Sequence, residues 1–201
     1  MTQKQIEQWC QGKAPSLPLD NPKDRTTFKI YDLAGHLVAE QDKRGYVTKY
    51  INDAQGNCRQ KIHYATPVAS IAKYYKQHDY AINALNHLGP KPSADDAVSY
   101  YFYDGCNRCV AEIDPEGSCQ VHQYDSANLV ETTRYDNKLT PQMIETAKDK
   151  PFPILPHESP DDDITRFKHD KKSRVIAETK LVRSNHDEPT PLSVTTYAYN
   201  S

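Results

Sequence analysis

Residues 103–125 read YDGCNRCVAEIDPEGSCQVHQYD and contain two four-residue segments that begin with Asp and end with Asn or Gly. An Asp side chain at the first position of a turn accepts a hydrogen bond from the backbone N–H two residues on. A Gly or Asn at the fourth position tolerates the positive φ that closes a hairpin with a bulge. The stretch therefore predicts two tight turns that join short antiparallel strands.

The same stretch occurs earlier in the chain, since residues 31–53 read YDLAGHLVAEQDKRGYVTKYIND and agree with residues 103–125 at eight positions. The full set of turns comprises Asp32–Gly35, Asp42–Gly45, Asp53–Gly56, Asp104–Asn107, Asp114–Gly117 and Asp125–Asn128, with Asp170–Ser173 as a weaker seventh copy. We predict positive φ at Gly35, Gly45, Gly56, Asn107, Gly117 and Asn128. Repetition in every module favours architecture over chemistry as the role of these residues.

Aromatic residues two apart precede several turns, as in Tyr101-Phe102-Tyr103-Asp104. Residues two apart on a strand share a face, so these rings form a ladder. Stacked tyrosines also suit sugar rings, and Tyr101, Tyr103 and Tyr124 are the candidate binding surface. The alternative is a strand ladder that packs against the next turn of a coiled sheet.

The Tyr-Asp pairs, the Gly or Asn three residues later, and the Val-Ala-Glu strands resemble the rearrangement-hotspot (RHS), or YD-repeat, family. The match covers most of residues 28–136 and 163–180. The resemblance implies a mainly β fold, in which an antiparallel β-hairpin array forms part of a coiled sheet that wraps into a hollow shell. Relatives include bacterial polymorphic toxins, cocoon subunits of insecticidal toxin complexes, and teneurins. It implies a bacterial protein that is secreted or displayed on the cell surface by a non-Sec route.

Equivalent starts at Tyr31, Tyr103 and His169 predict three modules, 28–97, 98–163 and 164–201, within an array that covers residues 26–201. Residues 1–25, which contain three prolines, are expected to be a loosely ordered lead-in.

Two inserts interrupt this array. In the first two modules Thr66-Pro67 and Thr140-Pro141 precede an insert, and the third module reaches Thr190-Pro191 after one strand pair at most. Apolar spacing predicts a lateral α-helix at about 67–88, with Thr66 as its N-cap. The second insert, at about 140–163, is expected to begin as a helix and then become an extended Pro-rich segment.

Composition excludes several classes of protein. Net charge is −2, with 25 basic and 27 acidic residues interspersed, so no basic field indicates nucleic acid as a partner. No apolar run approaches the roughly 18 residues of a membrane span. The start, MTQKQIEQWCQGK, lacks the apolar core of a signal peptide. Five cysteines do not form a recognisable disulfide framework.

A C-x2-C-x9-C-x2-H pattern is the sharpest candidate for chemistry. Its members are Cys106, Cys109, Cys119 and His122. The predicted turn pairs Ile113 with Ser118, so Cys109 and Cys119 should project from opposite faces of the hairpin. We expect no metal and no cofactor, and interpret these cysteines as free core or edge residues.

Other polar residues have structural interpretations. His122 and His169 occupy positions where sister repeats have Tyr, so aromatic packing explains them, and no nucleophile accompanies them. The run Asp161-Asp162-Asp163 resembles a metal-ligand cluster but is more typical of a solvated loop.

Three functional hypotheses follow. The first is a non-enzymatic structural segment of an RHS-type shell that encloses or presents a toxin or effector domain, with adjacent repeats of a longer chain or the enclosed effector as partners. The second is a module that binds a glycan or a protein through the Tyr-rich faces. The third is a metal- or thiol-dependent activity at the Cys/His set. The uncharged segment 193–200 also predicts an unpaired edge through which the isolated chain self-associates.

Overall fold

The computed structural model describes residues 27–69, 85–86, 89–183 and 189–199. Within these residues, eleven strands form one antiparallel sheet in which every strand pairs with its neighbours in the sequence. The strands are β1 (Phe28–Tyr31), β2 (Leu37–Gln41), β3 (Val47–Asn52), β4 (Cys58–His63), β5 (Ala97–Tyr103), β6 (Cys109–Ile113), β7 (Cys119–Asp125), β8 (Asn128–Arg134), β9 (Asp163–His169), β10 (Val175–Val182) and β11 (Thr190–Thr196). The predicted mainly β hairpin array is confirmed.

Because consecutive strands run in opposite directions, the connections between them lie alternately at the two ends of the sheet. One end carries the turns β1–β2, β3–β4, β5–β6, β7–β8 and β9–β10, which we call the turn row. The other end carries the tight turns β2–β3 and β6–β7 and both inserts. The inserts separate β4 from β5 and β8 from β9, and we call these neighbouring strand pairs the first and second junctions.

Positive φ is found at five of the six predicted positions, namely Gly35, Gly45, Gly56, Gly117 and Asn107. Ser173, at the fourth position of the weaker copy, has φ 59°. At each of these six turns the Asp Oδ1 accepts backbone N–H groups from the residues two and four positions on, at 2.8–3.0 Å. The Asp side chain thus holds both sides of its own turn.

The prediction for Asn128 is wrong. Asp125 pairs directly with Asn128, which leaves a two-residue loop, and the positive φ moves to Ser126. A loop that is one residue shorter has no position for a left-handed residue after the second turn residue.

The predicted register of the β6–β7 hairpin is also wrong. Ile113 pairs with Cys119 and not with Ser118. Asp114 itself is the last paired residue, because its N–H donates to the Ser118 carbonyl at 3.0 Å. Gly117 is therefore the bulge residue of a three-residue loop, which shifts the ladder by one position.

The two faces of the sheet differ in burial. One face, the insert face, carries two clusters of buried residues under the inserts. The clusters are Ile30, Ala39, Val47 and Tyr64, and Phe102, Ala111, Ile113, Cys119, Val121, Tyr135 and Leu139. The opposite, open face carries residues such as Tyr50, Tyr101, Tyr103 and His122, which are only half-buried. Alternation along the strands assigns each residue to one face.

Both inserts leave the sheet through the same contact. The N–H of Val68 donates to the Gly45 carbonyl at 2.9 Å, and that of Leu139 donates to Gly117 at 2.8 Å. Thr140, which follows Leu139, therefore corresponds to Ala69 and not to Thr66. This correspondence explains why Thr140 is an N-cap and Thr66 is not.

The second insert begins with helix α1 (Pro141–Ala147), whose N-cap Thr140 accepts the Met143 N–H at 3.3 Å. The predicted helix at 67–88 falls mostly outside the described residues. Its proposed start is wrong, since residues 67–69 are not helical, while residues 85–86 are. Among the described residues, no helix is long and apolar enough to cross a membrane.

In the third module one strand pair, β9 and β10, precedes Thr190 and Pro191, which open strand β11. Every residue of β11 is exposed, so the strand is a bare edge of the described sheet.

Candidate functional site

Three tyrosine hydroxyls, two of them directly before a turn Asp, donate hydrogen bonds to the neighbouring turn of the turn row. The Tyr103 hydroxyl donates to the Cys58 carbonyl at 3.1 Å, and the Tyr124 hydroxyl donates to the Cys109 carbonyl at 2.9 Å. Tyr199 makes the same contact with Val175 at 2.7 Å. Each accepting carbonyl belongs to the residue five positions after a turn Asp. This tyrosine contact gives the Tyr-Asp dipeptide a physical role: Asp closes one turn while Tyr holds the previous one.

Asn52 replaces Tyr in the first module and retains the contact. Its side-chain amide donates to the Leu37 carbonyl at 3.0 Å, five residues after Asp32. In this contact a side-chain amide therefore replaces the tyrosine hydroxyl, and the aromatic ring is not essential.

The fourth residue after a turn Asp joins that Asp to the next turn. Arg108 and Arg174 pair with the carboxylates of Asp104 and Asp170 at 2.6 and 2.7 Å. Their guanidinium carbons lie 4.5 and 4.6 Å from the ring centroids of Tyr124 and Tyr199. Each Arg therefore links a turn Asp to the ring that holds that same turn.

These hydrogen bonds lower the pKa of the exposed turn carboxyls. The backbone N–H of His36 is the largest cause for the lowered pKa of Asp32, and that of Arg108 for Asp104. The backbone N–H of Arg174 does the same for the pKa of Asp170. The charged carboxylate is the form that holds each turn.

At the first junction the turns of β3–β4 and β5–β6 are joined directly. Asn57 donates from its side chain to the Asn107 side chain at 2.9 Å, next to the Tyr103 contact. Arg59 lies 5.2 Å over the Phe102 ring. Three different contacts thus close the gap between β4 and β5.

Among the residues that the structure describes, the second junction has none of these contacts. Its ladder ends at the pair Glu131–Arg166, whose side chains form an ion pair at 2.7 Å. Beyond that pair β8 and β9 separate, and a cavity of about 420 Å³ lies between them. His169 stands where the first junction has Tyr103, and it makes no tyrosine-type contact within the described chain.

The candidate Tyr surface is largely committed to the sheet. Tyr101 and Tyr103 lie on the open face, but the hydroxyls of Tyr103 and Tyr124 are bound to carbonyls and Arg108 covers the Tyr124 ring. Burial raises the pKa of Tyr103 to about 12. Of the three rings, only Tyr101 has neither a carbonyl contact nor a covering cation among those described here.

The cysteine set is spread over the sheet. Cys119 lies in the core on the insert face, whereas Cys109 pairs with Tyr103 on the open face. A bulge at Val110 puts the two thiols on opposite faces, which is the predicted outcome reached through a different register. Cys106 is exposed in a turn. Among the described residues, no group of three His, Cys, Asp or Glu side chains could hold a metal ion.

Burial changes the pKa of three of the described thiols and of His122. Cys58, Cys106, Cys109 and Cys119 are free, and Cys10 lies outside the described residues. Burial raises the pKa of Cys58 and of Cys109, and raises that of Cys119 to about 12. Burial lowers the pKa of His122, whose Nδ1 lies 3.1 Å from the Thr132 hydroxyl. Protonated thiols are poor nucleophiles.

The expectation of a solvated loop at Asp161–Asp163 is wrong for Asp162, which is 4% exposed. Its Oδ1 accepts the Asp136 N–H at 3.0 Å and its Oδ2 accepts the Ser159 N–H at 3.1 Å. Arg183 Nε lies 3.3 Å from Oδ2. Asp162 therefore ties the end of the second insert to the end of β8.

Asp96 repeats this arrangement at the first insert. It accepts the N–H groups of Ala65 at 2.9 Å and Ser93 at 2.8 Å. The sequence analysis missed this pair of contacts. The available signal was a second repeat, Ser93-Ala94-Asp95-Asp96 and Ser159-Pro160-Asp161-Asp162, which are separated by 66 residues as are Tyr103 and His169.

Comparison with known proteins finds similar solved structures. The crystal structure of TcdB2-TccC3 matches 90% of this chain at 17% sequence identity and a TM-score of 0.40. The crystal structure of TcdB2-TccC3-Cdc42 matches 90% at 14% identity and a TM-score of 0.33. The matched parts are 9% and 10% of those chains, so this chain spans about a tenth of their length. No protein-family model and no curated protein sequence matches.

Proposed function

We propose that this chain is a non-enzymatic structural segment of an RHS-type shell. The carrying observation is that its most repeated polar residues are occupied in holding strands together. Six turn aspartates bind their own backbone, and the residues before Asp53, Asp104 and Asp125 bind the neighbouring turn. A residue that is already saturated by such contacts is not available as a nucleophile or a general base.

The sheet also has the geometry of an array that extends by adding hairpins. Its described strands follow one another in order, and the tyrosine contact recurs from Asn52 to Tyr199. Tyr199 stacks with Arg174 as Tyr124 stacks with Arg108, so β11 has the role of β7. The strand that pairs with β7 is β8, and an equivalent strand from adjacent repeats is the partner that fits β11.

An extended variant tests the array proposal. Residues 126–135, which include β8, are appended after residue 200 so that they follow Tyr199 as they follow Tyr124 in the natural chain. We expect a higher melting temperature and less self-association in sedimentation velocity. A scrambled ten-residue extension is the matched control. Equal behaviour of the two extensions would contradict the proposal.

The absence of catalysis needs its own test. Purified chain is assayed for hydrolase, nuclease and protease turnover, and we expect none above buffer. Turnover that one substitution abolishes, while circular dichroism and melting temperature stay unchanged, would overturn the non-enzymatic role.

A further inference from the structure

At the second junction an open cleft lies in the position where side-chain contacts bridge the first junction. Both ladders stop at equivalent pairs, Gln60–Tyr100 and Glu131–Arg166, so the junctions differ in the side-chain contacts beyond these pairs and not in the ladder. The cleft of about 420 Å³ is lined by Asp125, Asn128, Val130, Phe167, Lys168, His169, Asp170 and Lys171. This volume falls in the usual range for small-molecule sites.

Polar side chains around this cleft lack partners. Within the part of the chain that the structure describes, the side chains of Asp125, Asn128, Lys168, His169 and Lys171 make no hydrogen bond or ion pair. The equivalent side chains of the first junction, such as Asn57 and Tyr103, are bonded. Leu129 pairs with Tyr124 as Cys58 pairs with Asn52, so its carbonyl lies where Tyr103 finds an acceptor at the first junction. The residue that differs is His169, which stands in the place of Tyr103.

The charges of the residues that line the cleft determine whether it attracts an anion or a cation. Asp170 is neutralised by Arg174 at 2.7 Å and accepts two backbone N–H groups. The remaining charges are the ammonium groups of Lys168 and Lys171 against the single carboxylate of Asp125. A net positive lining attracts an anion.

The rest of the lining adds a second requirement. Val130 and Phe167 are apolar walls that suit a ring, while Asp125 and Asn128 can accept a hydrogen bond from a hydroxyl. We propose that the cleft between β8 and β9 binds a small aromatic carboxylate whose ring lies against Phe167 and whose carboxylate meets Lys171. The site is independent of the structural role of the array.

Titration of ¹⁵N-labelled full chain with 4-hydroxybenzoate tests this assignment. We expect saturable amide shifts confined to residues 125–131 and 166–171, with a Kd of about 1 mM for a ligand of this size. Phenol, which lacks the carboxylate, and inorganic phosphate, which lacks the ring, should each bind about tenfold more weakly. Phosphate binding as tight as that of 4-hydroxybenzoate, or shifts centred elsewhere, would overturn the proposal.

Two adjacent lysines provide matched variants. Lys171→Gln removes a lining charge and should raise the Kd for 4-hydroxybenzoate about tenfold. Lys172→Gln removes the same charge from the same turn outside the lining and should leave the Kd unchanged. Both residues are exposed, so neither change should unfold the chain. Equal effects of the two variants, or no saturable shift at 20 mM ligand (roughly twenty times the expected Kd), would refute the site.

Discussion

The first and second junctions show how the same repeat can be closed or left open. At the first junction, Tyr103, Asn57 and Arg59 bridge two turns across the gap between β4 and β5. At the second, a His in place of Tyr leaves β8 and β9 unbridged. The ends of both inserts are nevertheless held alike, by Asp96 and Asp162. The short turn at 125–128 is still bonded to the turn before it, because Arg108 donates to the Ser126 carbonyl. The residue before the turn Asp, Tyr103 or His169, therefore marks the difference between the junctions.

The largest effect is expected at Gly45 and Gly117, whose carbonyls accept the hydrogen bonds with which the two inserts leave the sheet. A Cβ at Gly45 or Gly117 would lie 2.5 Å from the carbonyl oxygen of Val68 or Leu139, and both glycines have positive φ. Gly117→Ala and Gly45→Ala should each lower the free energy of unfolding by about 3 kcal/mol. Gly35→Ala is the control, because Gly35 has φ 87° but open space around it, and should cost about 1 kcal/mol. Equal costs in urea unfolding would show that insert docking adds nothing to backbone strain.

The tyrosine contact provides the next test. Tyr103→Phe removes the hydroxyl that donates to the Cys58 carbonyl and should cost about 1 kcal/mol of unfolding free energy. Tyr31→Phe is a suitable control, since Tyr31 is 51% exposed and no hydroxyl contact of it is found among the described residues. A loss in the control as large as in Tyr103→Phe would assign the effect to the ring environment and not to the contact.

Much of this comparison could not be predicted from the sequence. The turn template located six aspartates that bind their own turns, but it did not reveal whether Asp or the residue before it is the last paired position. This ambiguity shifted the register at Ile113, and the shorter loop after Asp125 misplaced the left-handed residue at Asn128. The tyrosine contact was not found either. Tyr103 and Cys58 are 45 residues apart, and a bulge in the ladder after Ile51 determines their approach.

A smaller effect should separate the two junctions directly. A double-mutant cycle of Asn57→Ala and Asn107→Ala should give a coupling energy of about 0.5 kcal/mol for the exposed hydrogen bond between them. The equivalent cycle of Asn128→Ala and Ser173→Ala should give none, because no contact between these side chains is found among the described residues. A coupling at the second junction as large as at the first would contradict an open cleft.

Acid should weaken the turns in a narrow pH range. Backbone N–H groups lower the folded-state pKa of Asp32, Asp104 and Asp170 below that of the unfolded chain. Their contribution to stability is therefore fully present above about pH 4 and is lost as the pH falls through the lower folded pKa. We expect melting temperature to fall below pH 4 less steeply in Asp104→Asn than in the natural chain. Asp125→Asn, at a turn without these hydrogen bonds, should follow the natural chain.

Amide hydrogen exchange under native conditions is the most direct test of the difference between the junctions. Residues 101–104 and 167–170 occupy equivalent positions in β5 and β9, and only the first set is tied to the neighbouring turn. We predict exchange about tenfold slower at residues 101–104, and an acceleration there to the rate at 167–170 in Tyr103→Phe. Equal protection of the two segments in the natural chain, or no change at residues 101–104 in the variant, would contradict the account.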